Sequence, residues 1–201
     1  MKMYVIEGPN GVGKTTLCQL IVRRLAEMDI AHGSVTEPSA TDLGRLIRSR
    51  EAQITGRALA LAVATDRHQQ YDATIAPLLA SESVVISNRY VPSSLVLQQI
   101  DGLTMEEVWL YNQYMPAPEC VFYLYDEPEV IQARLRTRAS RLSRLEKKGS
   151  AKLELELYQD AYNFLDARGW RQERINCYGL TPDEICDQVM NEFMQSCTMD
   201  R

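Results

Sequence analysis

The stretch Gly8-Pro9-Asn10-Gly11-Val12-Gly13-Lys14-Thr15-Thr16 constrains this chain more than any other. It has the spacing G-x-x-x-x-G-K-[ST] of a phosphate-binding loop. Its flanks agree with that reading. Met3-Tyr4-Val5-Ile6 is a short apolar run suited to a buried parallel strand, and Leu17, Leu20, Ile21 and Leu25 then recur at helical spacing. Gly8, Gly11 and Gly13 let the backbone turn tightly and approach an anion with no Cβ in the way. The amides of such a loop, with those of the first helical turn, form a cradle for phosphate. Lys14 is a mobile point charge able to reach the β- and γ-phosphates, and the Thr15 hydroxyl is a candidate Mg²⁺ ligand.

The rest of the chain alternates strand and helix. The pattern predicts a helix over about 13–28, a break at His32-Gly33, and a short strand over 34–37 that Pro38 ends. A short helix over 42–50 precedes one long helix over 55–79, whose apolar face carries Leu59, Val63, Ala64, Ile75, Leu78 and Leu79. A buried strand over 84–87 leads into Asn88-Arg89-Tyr90, with a helix beginning near Ser93. Thr104 to Glu107 reads as a capping box, 120–125 as a strand, and Asp126-Glu127-Pro128-Glu129 as the cap of the next helix. A helix over about 151–167, a strand over 173–177, and the box Thr181-Pro182-Asp183-Glu184 opening a last helix complete the pattern. Such alternation predicts a three-layer α/β fold: a parallel sheet of about five strands with helices on both faces. Ligands of such sheets bind at the C-terminal strand ends. That edge gathers the phosphate loop, Glu37-Pro38, Asn88-Arg89-Tyr90 and Asp126.

Length and charge bound the function. The 201 residues suit one domain, 1–201, with room for a small insertion, and no internal repeat is visible. No apolar run approaches membrane-spanning length, and the N-terminal residues lack the apolar core and cleavage site of a signal peptide. The five cysteines are scattered and the two histidines lie far apart, which argues against a zinc site and for reduced thiols in the cytoplasm. The net charge of −5 speaks against a nucleic-acid partner. Yet Arg134, Arg136, Arg138, Arg141, Arg144, Lys147 and Lys148 sit in one short segment with a single acid, Glu146, a local charge of +6. An acidic chain with one concentrated basic segment suggests a small anionic ligand held in one place, although a run of arginines also serves as a solvated helix face.

Taken in order, Ile6-Glu7-Gly8 with Gly13-Lys14-Thr15-Thr16, Glu37-Pro38 with Gly44-Arg45-Leu46-Ile47-Arg48, Thr65-Asp66-Arg67, Arg89-Tyr90 with Ser93 and Gln98, and Leu142-Ser-Arg-Leu-Glu146 resemble the thymidylate kinase family over nearly the whole chain. The resemblance implies a P-loop kinase fold with a basic lid at about 137–150, ATP and Mg²⁺ as cofactors, a small-molecule nucleotide acceptor and a homodimer. It implies phosphorylation of a pyrimidine deoxynucleoside monophosphate, dTMP to dTDP. On that likeness Gly8, Asn10, Gly11, Gly13, Lys14, Thr15 and Thr16 hold the donor phosphates, and Thr15 the metal. Arg89 binds the acceptor phosphate, and Arg67 reaches the acceptor base. Glu37, Val63, Ser94, Gln98 and Tyr162 line the acceptor site. Arg138, Arg141 and Arg144, three apart and so on one face of a helix, would supply charge to the transferring group.

The chain also departs from the family's pattern. Asn10 and Asn88 stand where the family usually has aspartate, Thr36 where it has arginine, Val63 where an aromatic stacks on the base, and Leu97 where a tyrosine lies near the sugar. Donor-side residues are kept and acceptor-side residues are altered. Two other readings therefore stay open beside the dTMP kinase: a kinase for a modified nucleotide or a nucleoside, and a catalytically silent ATP-binding relative.

Overall fold

In the computed structural model, which describes residues 2–137 and 150–199, five parallel strands lie in the order β2-β3-β1-β4-β5. They are β1 (Met3–Glu7), β2 (His32–Thr36), β3 (Val84–Asn88), β4 (Cys120–Tyr125) and β5 (Gln172–Asn176). The described helices are α1 (Lys14–Glu27), α2 (Asp42–Arg50), α3 (Gly56–Gln70), α4 (Ala76–Ala80), α5 (Val91–Ile100), α6 (Met105–Asn112), α7 (Pro128–Thr137), α8 (Ala151–Asp166) and α9 (Pro182–Met199).

Side chains alternate across a strand, so a strand covered on both faces must be apolar throughout. In β1, Tyr4 and Ile6 join Ile86, Phe122 and Leu124 against Leu17, Ile21 and Leu25 of α1 and Val189 and Phe193 of α9. Met3 and Val5 face the other way. They meet Val85, Val121 and Tyr123 under Leu95 and Val96 of α5 and Tyr158, Ala161 and Leu165 of α8. Parallel register sets Ile6 beside Asn88 on one side and Phe122 on the other. The C-terminal ends of β1, β3 and β4 therefore open on one edge.

Four local expectations are corrected. His32 and Gly33 belong to β2 rather than to a break; β2 pairs on one side only and is half-exposed, so its apolar signal is weak. The long helix over 55–79 is divided by a π-helical turn at Tyr71–Ile75. Pro77, two residues past that turn, has no N–H for the carbonyl four residues back, which favours a wider turn there. Thr104 accepts from the Glu107 amide, but the Glu107 carboxylate turns to Arg57 and Tyr111, so that box is half closed. The Thr181 box closes both ways, with Glu184 accepting from the Thr181 amide at 2.7 Å. Asp126 does not cap α7 from its N-terminus: Oδ1 accepts the Glu127 amide and Oδ2 faces Arg134 at 3.0 Å.

Candidate active site

β1 hands the chain to the phosphate loop with almost no room to spare. Gly8 has φ of +134°, and a Cβ there would stand 2.4 Å from the Leu124 carbonyl oxygen. α1 starts at Lys14 with no side-chain cap, which leaves the amides of its first turn for an anion. The buried Lys14 ammonium folds back on the loop, donating to the carbonyls of Gly8 at 2.7 Å and Pro9 at 2.8 Å. Burial, with Arg89 adding to it, pulls that ammonium down to about 7; Glu7 and Glu154 pull the other way. Thr15 Oγ1 accepts from Asn88 Nδ2 at 3.2 Å, and Asn88 Oδ1 is buried with no partner among the described residues. Asn10, Gly11, Gly13, Lys14, Thr15, Thr16, Thr36, Asn88, Arg89 and Arg134 line a cleft of about 580 Å³.

Arg89 follows β3 in the left-handed region, with φ of +78°, which a non-glycine residue adopts only when its surroundings hold it there. Glu7, at the end of β1, does the holding. One oxygen accepts the amides of Tyr90 at 2.7 Å and Ser93 at 3.2 Å; the other accepts the hydroxyls of Ser93 at 2.6 Å and Tyr158 at 3.1 Å. This turn aims the guanidinium at the phosphate loop. Its Nη1 donates to Ser93 Oγ at 2.8 Å and its Nη2 to Asn10 Oδ1.

The acceptor-side candidates form a second cluster. Arg67 and Glu37 are a buried ion pair, with Arg67 Nε 2.8 and 3.0 Å from the two carboxylate oxygens. The rest of the guanidinium donates to Asn112 Oδ1, to the Tyr90 carbonyl at 3.1 Å and to Ser94 Oγ at 2.9 Å. Burial raises the Glu37 carboxyl and the Arg67 charge opposes it. Arg67 thus turns inward, because a guanidinium taken out of water needs partners for its N–H groups. Asp66 binds Ser39 through the amide and the hydroxyl, both at 2.6 Å. Val63 packs with Ile47, Leu59 and Leu97, and Gln98 is buried with Oε1 unpartnered among the described residues. Tyr162 lies outside the phosphate cleft. It borders a cavity of about 280 Å³ with Tyr123, Asp126 and Arg174, and its ring packs edge-on against Tyr123.

The lid candidates Arg138, Arg141 and Arg144 lie outside the described residues. Of the basic segment, Arg134 reaches the cleft. Three residues that pattern reading passed over belong to the site. Asn112 holds Arg67, Tyr158 holds Glu7, and Glu154 accepts the Asn10 amide at 2.8 Å. Their signal was faint: Glu154 and Tyr158 are four apart and so share a helix face, as many surface pairs do.

The sequence model of the thymidylate kinase family matches residues 6–168. A probable thymidylate kinase of Pyrobaculum aerophilum is 32% identical over 141 residues, 69% of this chain and 71% of that protein. A thymidylate kinase of Leptospira borgpetersenii is 29% identical over 198 residues, 96% of this chain and 93% of the relative. One of Xanthomonas euvesicatoria is 34% identical over 146 residues, 68% of this chain and 61% of the relative. With the phosphate loop, the parallel sheet and a match of that span, the chain belongs to the thymidylate kinase family and is a nucleoside-monophosphate kinase.

Proposed function

We propose that the enzyme transfers the γ-phosphoryl group of ATP, with Mg²⁺, to the 5′-phosphate of a pyrimidine deoxynucleoside monophosphate, dTMP first, giving dTDP. One observation carries the reading: the Arg89 guanidinium is held beside the phosphate loop, hydrogen-bonded to Asn10. Two anions can then meet over one cleft, one on the loop amides and one on Arg89. Phosphoryl transfer asks little covalent work of the protein, so positioning and charge neutralisation carry the rate. Lys14 would leave the Gly8 and Pro9 carbonyls for the β- and γ-phosphates, and Arg134, already in the cleft, would add charge beside Arg138, Arg141 and Arg144. The names of the relatives support dTMP as acceptor.

The Thr15 hydroxyl fits Mg²⁺ as a neutral oxygen suited to an ion that keeps much of its water shell; Asn88 presents Nδ2 to Thr15 and would add its oxygen only after its amide turns over. When bound, the ion would offset charge on the phosphates. Glu37 is not free for this, since both its oxygens are committed to Arg67. On the acceptor side, Gln98 Oε1 would take a base N–H, with Val63 and Ser94 beside it. Arg67 and Glu37 would shape that wall from behind. Among the described residues no helix is long and apolar enough to cross a membrane. The buried free thiols of Cys18, Cys120, Cys177 and Cys186 support a cytoplasmic location.

The test is ADP formation against a panel of nucleosides and monophosphates. dTMP should stimulate it many-fold, and Lys14→Ala and Arg89→Ala should each reduce transfer by about a hundredfold or more. Stimulation by thymidine or another acceptor but not by dTMP would move the activity to that acceptor. No stimulation by any member of the panel would falsify the reading.

A further inference from the structure

We infer that Glu154 is a positioning residue for Arg89, acting through Asn10. The inference rests on the kinase reading for its meaning, but its geometry stands alone. Glu154 lies in the first turn of α8 and is buried. Its Oε2 accepts the Asn10 backbone amide at 2.8 Å, and its oxygens stand 3.3 and 3.4 Å from Asn10 Nδ2. A carboxylate offers acceptors alone, so it selects the NH₂ end of the Asn10 amide. The oxygen end must then face away, and there it receives Arg89 Nη2.

The same helix fixes the other arm of the guanidinium. Tyr158, one turn beyond Glu154, reaches Glu7 Oε2 at 3.1 Å and Ser93 Oγ at 3.2 Å, and Ser93 Oγ accepts Arg89 Nη1. Two side chains of α8 thus set the partners of both Nη atoms, and the acceptor-binding cation is held from two directions. The arrangement also accounts for the asparagine at position 10. An aspartate there would set a second carboxylate against Glu154, with no donor between them.

The experiment uses single and paired substitutions in the full chain. Glu154→Gln, with its oxygen kept on the Asn10 backbone amide, sets its NH₂ group against Asn10 Nδ2, which favours the turned Asn10 amide that presents donors to Arg89. The dTMP KM should rise about tenfold and kcat should fall, with a smaller rise in the ATP KM, since the Glu154 charge also supports the Lys14 ammonium. Asn10→Asp alone should be similarly impaired. The pair E154Q/N10D restores complementarity, because a carboxylate at position 10 can accept both from an amide at position 154 and from Arg89. The pair should recover the dTMP KM to within about threefold. A residue that merely stabilised the fold would show no such rescue.

A second readout needs no substrate. Hydrogen exchange of the Arg89 Nη protons, assigned with Arg89→Lys, should quicken in E154Q and slow again in the pair. An unchanged exchange rate and dTMP KM in E154Q would overturn the inference, as would equal rises in the ATP and dTMP KM or a pair worse than either single variant. If the unaltered protein transfers phosphate to no acceptor while the exchange pattern holds, the functional reading fails and the positioning role stands.

Discussion

Lys14 is buried beside another cation, and its ammonium is pulled down to about 7 by burial first and Arg89 second. A bound triphosphate would supply the missing counter-charge and restore the proton. Above about pH 7 the free protein therefore carries fewer protons at Lys14 than the complex does, so ATP affinity should fall as pH rises from about 7 to 9. Calorimetry at about pH 8 in two buffers of different ionisation enthalpy should show uptake of close to one proton per ATP; no uptake would place the lysine among always-charged groups. The Glu37–Arg67 pair has a different character. Both partners are buried, and Glu37→Gln leaves a guanidinium without its counter-charge. The substitution should cost about 3–5 kcal/mol in urea unfolding. The glycine-rich loop announces Lys14 in the sequence. Nothing announces that Arg67 turns inward, because that depends on Glu37, Asn112 and Ser94 arriving from three other elements.

At the scale of elements, the segment that carries Glu37 is wedged in place by α2. Gly44 lies against Ser39 so closely that a Cβ would stand 2.1 Å from the Ser39 carbonyl oxygen and 2.6 Å from its amide nitrogen. The obstacle is backbone, and Asp66 pins Ser39 from the other side. Gly44→Ala should therefore shift α2 or the 37–41 segment, at a cost of about 1–3 kcal/mol, and raise the acceptor KM with it. Thermal unfolding and steady-state kinetics would check the two effects together; an alanine variant with unchanged midpoint and KM would show that the wedge is soft. Element types were largely legible because apolar periodicity is a local property. The split in the helix over 55–79 was less so: the apolar face continues across it while the backbone responds to Pro77.

Across the whole molecule, α3 and α6 lie side by side, joined by the Arg57–Glu107 ion pair, and large apolar side chains are exposed on both helices and in the turn just after α6. Leu61 is 45% exposed, Leu110 59% and Tyr114 80%. Exposed apolar side chains grouped on neighbouring helices suit a self-association face. Light scattering should find a dimer, and Leu110→Glu with Tyr114→Glu should give a monomer of unchanged secondary structure; a monomer before substitution would remove the homodimer expectation.

What the sequence determined by itself was the strand–loop–helix at the N-terminus, the parallel α/β architecture, and the convergence of Lys14, Asn88 and Arg89 on one sheet edge. Those follow from glycine spacing, apolar period and the rule that parallel strands share their C-terminal ends, none of which needs a distant partner. Tertiary structure alone decided that Asn10 would meet Arg89 across 79 residues and Glu154 across 144. Hydrogen bonds form or fail over a few tenths of an ångström, and no interval along a chain encodes a distance that fine.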